Sequence, residues 1–369
     1  MTKYLIGRAA TGLALVTTLI LSTAGASATG PAVVEATVER DSSGTATVRW
    51  RTEHANAPVD VFLVLPAQAP RLISDDDADG LHRLTSAEAA RRPLIRLATD
   101  SGETFTTAER VLPLEGGRNF RDLGGYRTAD GKRVKWGQVF RSGTMAGLTD
   151  ADYGQLSTLG IEVVCDFRAN EEREREPTAF RRIGTDIDYQ TRDYASDTSA
   201  LRTMFGNGQP TAEKVRAAMT NLYGEIPYQH AESYRTMFRQ LADGNLPLAF
   251  NCSAGKDRTG VAAGLLLTLL GVPRATVLSD YALSDKIVDY QRAYAGARPT
   301  TVAGKPDPYA FIAALPAEVR APLLRSDPAY LDYALAEIVR REGSLENYYA
   351  KVLDLSPGDV MAIRARLLD

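Results

Sequence analysis

Ten consecutive residues carry the densest chemistry in this chain: Asn251-Cys252-Ser253-Ala254-Gly255-Lys256-Asp257-Arg258-Thr259-Gly260. A short apolar run, Leu248-Ala249-Phe250, precedes them, and an apolar helical pattern from Thr259 to Leu270 follows, closed by Gly271 and Pro273. A short loop between strand and helix curls its backbone N–H groups toward one point, at the positive end of the helix dipole. That cup suits a phosphate, held by the loop residues Ser253, Ala254, Gly255 and Lys256, with Arg258 forking two of its oxygens. The same field favours a thiolate, so Cys252 is expected to be nucleophilic near neutral pH. A cysteine beneath a bound phosphate implies attack on phosphorus and a phosphocysteine intermediate. Thr259 is expected to give the sulfur a hydroxyl hydrogen bond. The leaving oxygen needs a proton, and either Asp257 in the loop or Asp166 at the end of a neighbouring strand could supply it. The competing explanation is an inert buried cysteine beside a loop that caps a helix.

The elements around the loop read as alternating strands and helices. Val134 to Phe140 and Ile161 to Cys165 are strand-like, and Asp150 to Leu159 is helical, with Tyr153, Leu156 and Leu159 on one face. Ala231 to Ala242 places Tyr234, Met237, Phe238 and Leu241 at i, i+3, i+4 and i+7, and Gly244 caps it. Such alternation predicts a mixed or parallel sheet flanked by helices on both faces. The C-terminal third is helical: Ser326-Asp327-Pro328 is a start signal, with Leu331, Leu335, Ile338 and Val339 as the apolar stripe. Before Gly116-Gly117 the pattern is β throughout. Thr45 to Arg51 alternates polar with apolar, Val59 to Leu65 is a β-branched and aromatic run, and Leu94–Ala98 with Thr104–Thr107 reads as a hairpin. These strands predict a small all-β sandwich over 29–114, immunoglobulin-like or fibronectin-like, ahead of an α/β domain over 115–369.

The ten-residue loop resembles the C-x5-R-[ST] motif of cysteine-dependent phosphatases. Its fuller form resembles the atypical secreted bacterial tyrosine phosphatases, which include listerial and mycobacterial effectors with H-C-x-A-G-K-D-R-T-G. Asn119-Phe120-Arg121-Asp122-Leu123-Gly124-Gly125-Tyr126, Phe140-Arg141-Ser142-Gly143 and Asp166-Phe167-Arg168 followed by Glu171 or Glu172 are similar to that family too. So are Leu278-Ser279-Asp280-Tyr281 and the segment from Gly343-Ser344 to Tyr348, so the likeness spans roughly 115–369. The resemblance implies a phosphatase α/β fold, no metal or other cofactor, and action on phosphotyrosine, often extending to phosphoserine or phosphoinositides. It also implies that Asp257 takes the acid role, and it associates Lys256 with phosphoinositide acceptance. The sequence departs from the family at Asn251, where the family has histidine. Asparagine can brace the loop but carries no charge, so a less readily ionised thiol and slower turnover are expected. The alternatives that stay open are a phosphoinositide or inositol phosphate phosphatase and a phosphate-binding pseudophosphatase.

At 369 residues the chain is long enough for two or three domains, and 44% hydrophobic with 24% charged residues excludes disorder. A formal net charge of -3 offers no chain-wide basic field for nucleic acid. Residues 1–28 carry Lys3 and Arg8, an apolar run through Leu21 and the ending Ala26-Ser27-Ala28, which reads as a cleaved signal peptide. Thr17, Thr18 and Ser22 interrupt a run already shorter than the roughly 20 residues a membrane span needs. Cleavage removes two positive charges, leaving -5, on a protein expected to be secreted without a stable membrane span. Two cysteines, Cys165 and Cys252, and three scattered histidines, His54, His82 and His230, exclude a zinc-finger ligand set. Cys165 is either packing or the partner in a reversible disulfide that guards Cys252. Asp75-Asp76-Asp77-Ala78-Asp79-Gly80 matches half a calcium loop, but Ser86 stands at its twelfth position, so no metal is expected. Two Gly/Pro-rich stretches, Ser196 to Pro210 and Ala295 to Pro308, are either a lid over the pocket or plain surface loops.

Overall fold

The computed structural model describes residues 32–41, 43–65, 68–90, 92–195, 210–295, 301–302, 305–306 and 315–369. The signal segment and most of both Gly/Pro-rich stretches lie outside these residues.

The first seven strands are β1 (Val33–Arg40), β2 (Ala46–Thr52), β3 (Val59–Val64), β4 (Arg71–Asp77), β5 (Leu81–Arg83), β6 (Leu94–Ala98) and β7 (Thr104–Thr107). They form two antiparallel sheets, ordered β1-β2-β5 and β4-β3-β6-β7. Alternation does what it should in β2 and β3: Ala46, Val48, Trp50, Val59 and Val61 point inward, and one core joins them to Ile95 and Leu97. The acidic run ends β4 and turns into β5; Asp77 accepts from Ser74 Oγ and from the Asp79 N–H. Among the described residues no group of three or more metal-capable side chains gathers there or elsewhere.

A third, larger sheet holds β8 (Arg121–Asp122), β9 (Val139–Ser142), β10 (Val163–Asp166), β11 (Asp188–Thr191) and β12 (Leu248–Asn251), in the order β11-β10-β12-β9-β8. All its pairings are parallel except β8 with β9. Its faces feed different cores: Val163, Cys165, Leu248 and Phe250 join one cluster, Val164, Ala249 and Phe140 the other. Helices cover both faces, which is why β10 and β12 are apolar without alternation. The architecture is thus an α/β domain preceded by an all-β region. The Val134 to Phe140 strand is displaced: Val134 bridges to Leu368 outside the sheet, and the ladder begins at Val139. In the Pro328–Glu342 helix, Leu331, Leu335 and Ile338 are buried, but Val339 is exposed at the edge of the stripe.

The two regions meet through charge. Arg92 is buried, donating from Nη2 to Asp122 Oδ2 at 2.7 Å and from Nε to the Glu109 carbonyl at 2.8 Å. Asp122 also receives the Gly124 and Gly137 N–H groups, both at 2.7 Å. Beside this pair, Trp136 donates to the Thr106 carbonyl, and Arg133 lies over the Phe105 ring.

Candidate active site

The loop after β12 takes its shape from outside itself. Phe167 N donates to the Asn251 carbonyl at 2.8 Å, and Thr144 N to the Ser253 carbonyl at 3.0 Å. Tyr290 Oη donates to the Ala254 carbonyl at 2.8 Å. Asn119 Nδ2 and Arg141 Nη2 both donate to the Gly255 carbonyl, at 2.9 and 2.8 Å. Tyr234 Oη binds the Arg258 carbonyl at 2.8 Å. With these carbonyls anchored outward, the peptide N–H groups turn to the concave side, where Gly255 N meets Cys252 Sγ at 3.3 Å. Gly255 has φ +75°, and a Cβ there would stand 2.4 Å from Gly143 N, so only glycine permits this turn.

One buried carboxylate organises the supports. Asp280 receives Arg121 Nε at 3.1 Å, Arg141 Nη1 at 2.8 Å and Tyr126 Oη at 2.9 Å. Burial alone would raise its proton affinity, but the two guanidinium groups hold it well below the usual carboxylate range. Arg121 in turn binds Asn119 Oδ1, fixing the amide that reaches Gly255. Two cations facing one carboxylate leave a surplus positive charge directly behind the loop.

Arg258 is forked onto Glu172, Nη1 to Oε2 at 2.6 Å and Nη2 to Oε1 at 2.8 Å. Glu172 also takes Ser253 Oγ at 2.7 Å and the Ala169 N–H at 2.8 Å. Against the upward pull of its burial, Arg258 and these bonds bring its pKa down to about 2. The motif left Glu171 and Glu172 as alternatives; the fork is made by Glu172. Tyr194 Oη and the Phe167 carbonyl complete the Arg258 shell at 2.8 and 3.0 Å. His230 is buried close by, and desolvation, then the Arg258 charge, depress its pKa to about 3, so it sits neutral against the arginine.

The two candidate acids have opposite surroundings. Asp166 is fully buried, with both oxygens taken by Arg168 at 2.7 to 3.0 Å, Tyr189 Oη at 3.0 Å and Asn251 Nδ2 at 3.1 Å. Those contacts make it the brace of Asn251, not a proton donor with access to a leaving group. Asp257 keeps 27% of its side chain exposed, and its Oδ1 accepts from Lys256 Nζ at 2.6 Å and Tyr223 Oη at 2.7 Å. Lys256 is buried in that ion pair, not projecting from the loop as a free cation.

One expectation changes, and two positions are sharpened. Thr259 Oγ1 donates to the Ser142 carbonyl at 3.4 Å, not to the sulfur, because β9 passes directly beneath the start of the helix. Asn251 braces through Nδ2, and among the described residues its buried Oδ1 has no hydrogen-bond partner. Cys165 and Cys252 are both free. Cys165 lies opposite Phe250, two residues short of Cys252, a spacing of about 8 Å by strand geometry and too long for a disulfide. Burial, then Asp188 and Asp166, push the Cys165 thiol far up, so it packs and does not react. Sequence reasoning assigned no role to Asn119, Arg141, Tyr223, Asp280 or Tyr290. Asn119, Arg141 and Asp280 lie in the quoted motifs, but only the tertiary contacts show what they hold.

Residues 112–369 match the model of the tyrosine phosphatase family. A Cupriavidus necator protein provisionally named a tyrosine-protein phosphatase is 34% identical over 251 residues, covering 68% of this chain and 85% of its own. A tyrosine-protein phosphatase of Nostoc commune is 31% identical over 46% of this chain and 55% of its own. The triple specificity protein phosphatase PtpB of Mycobacterium tuberculosis is 29% identical over 50% of this chain and 72% of its own. The match begins at the first residues after the β-sheets and takes in every support of the Cys252 loop, and on it the chain belongs to the tyrosine phosphatase family.

Proposed function

We propose that this protein hydrolyses phosphomonoesters through a phosphocysteine, acting chiefly as a protein-tyrosine phosphatase with dual specificity. The observation that carries this is the loop around Cys252 whose Asn251, Ser253, Ala254 and Gly255 carbonyls are drawn outward. The phosphate binds the inward N–H groups, with Arg258 on two of its oxygens. Cys252 Sγ attacks phosphorus as a thiolate, forming S–P while the P–O bond to the tyrosine breaks, and Asp257 gives its proton to the departing oxygen. A water then attacks phosphorus, giving its proton to Asp257; S–P breaks, the thiolate is restored and inorganic phosphate leaves.

The phosphoinositide alternative needs positive charge at the mouth for further phosphates. Lys256 is buried against Asp257 and does not project to the mouth, and this favours phosphotyrosine. A panel of phosphotyrosine peptide, phosphoserine peptide and phosphoinositide, with Cys252→Ser and Asp257→Asn controls, tests the reading. A phosphoinositide turned over at least as fast as the phosphotyrosine peptide would reverse it, and no Cys252-dependent turnover of any would leave a pseudophosphatase.

Asn251 sets the pace in this scheme. Asn251→His adds a second donor behind the nucleophile and is expected to raise kcat on 4-nitrophenyl phosphate severalfold; a variant no faster than the parent defeats the idea. We further propose that the protein is exported after cleavage behind Ala28. N-terminal sequencing of protein from the culture medium should then begin at Thr29, and retention of Met1 in the cell fraction would contradict it.

A further inference from the structure

The loop's final glycine and the Leu278-Ser279-Asp280-Tyr281 motif meet at one point. A Cβ on Gly260 would stand 2.8 Å from the Tyr281 ring, so this glycine exists to admit that ring against the helix start. Tyr281 Oη lies 2.5 Å from Tyr223 Oη, and Tyr223 Oη lies 2.7 Å from Asp257 Oδ1. Both tyrosines are buried, and the Tyr223 ring packs on Tyr330 with centroids 5.3 Å apart. Each hydroxyl has one proton. A carboxylate can only accept, so Tyr223 spends its proton on Asp257 and Tyr281 must donate to Tyr223. The chain runs one way: Tyr281 to Tyr223 to Asp257.

Oδ1 of Asp257 therefore carries two donors, Tyr223 Oη and Lys256 Nζ, and its lone pairs are taken. Oδ2 is the oxygen left to hold and release a proton. We propose that Tyr223, backed by Tyr281, is a positioning residue that presents Asp257 Oδ2 to the leaving oxygen and stabilises the carboxylate left once its proton has moved. The proposal rests on the reading of Asp257 as general acid, and extends it to residues 34 and 24 positions away in sequence.

The contribution should scale with how badly the leaving group needs a proton. Tyr223→Phe keeps the ring and removes one hydrogen bond to a charged group, worth about a factor of ten. On phenyl phosphate its kcat/KM, which reports departure of the leaving group, is expected to fall about tenfold, and on 4-nitrophenyl phosphate less than about twofold. Tyr281→Phe should follow in the same direction with a smaller loss. Introduced into Asp257→Asn, Tyr223→Phe should cost nothing more. Equal falls on both substrates, no fall on phenyl phosphate, or a further loss in the Asp257→Asn background would overturn the proposal. If Asp257→Asn itself shows no selectivity for the poor leaving group, the acid assignment fails instead. Thermal melts of the variants separate either result from misfolding.

Discussion

Cys252→Ser will reduce kcat on every phosphomonoester by about 10⁴-fold or more and abolish the burst of phenolate, while phosphate binding survives. The split follows from how the site is built. Affinity comes from backbone N–H groups whose carbonyls are anchored by Asn119, Arg141, Thr144 and Tyr290, through bonds that do not involve the Cys252 sulfur. Nucleophilicity resides in one sulfur, and a serine hydroxyl in the same field stays protonated. Stopped-flow with 4-nitrophenyl phosphate and vanadate titration of the variant provide both readouts. A residual burst, or vanadate affinity lost together with turnover, would mean that sulfur and cup are not separable in this way.

Glu172→Gln is the second large effect, and it acts on stability and rate together. The fork between Glu172 and Arg258 is buried on the carboxylate side, and removing one partner of a buried pair costs about 3–5 kcal/mol. Glutamine keeps the shape, so the lower end is expected. The pH dependence has a definite sign. The folded pKa of Glu172, about 2, lies below the roughly 4.3 of an unfolded chain, so the stabilisation is complete above that value. It drains away as pH falls from about 4 toward 2. Denaturant melts at pH 7 and pH 3 should therefore show parent and variant converging in acid. With Arg258 no longer held by both oxygens, kcat/KM is expected to drop about 100-fold at pH 7. A variant that melts like the parent at pH 7 would show that Tyr194 and the Phe167 carbonyl suffice to hold the arginine.

The nucleophile loop was legible because its signal is contiguous: a strand, a turn and a helix cap within ten residues. The neighbouring position of Cys165's strand was legible for a related reason, since two short apolar runs in an alternating pattern pair in parallel. What escaped was set at long range. Asp280 is 139 residues from Arg141, and neither local pattern nor composition says that two arginines will be buried to hold it. Thr259 failed differently: spacing fixed where the residue stands, but the nearness of Ser142 decided its rotamer. Val339 failed on geometry, because a stripe drawn at i, i+4, i+7, i+8 runs to the margin of the buried face. Asp166 was ambiguous because a strand-end aspartate near a nucleophile is equally placed to donate a proton or to hold a neighbour, and Arg168 settles the matter two residues later.

The Arg92–Asp122 pair reaches beyond geometry, to how the molecule can be divided. Its side chains are 2% and 0% exposed, and they come from opposite sides of the point where the family match begins. Cutting the chain there removes the arginine and leaves a carboxylate sealed beneath the sheet, held only by two backbone N–H groups. A loss of about 3–5 kcal/mol is a large part of the 5–15 kcal/mol that a folded domain has to spare. The two regions are thus expected to melt in a single transition, and a chain cut at residue 112 to melt well below the whole protein.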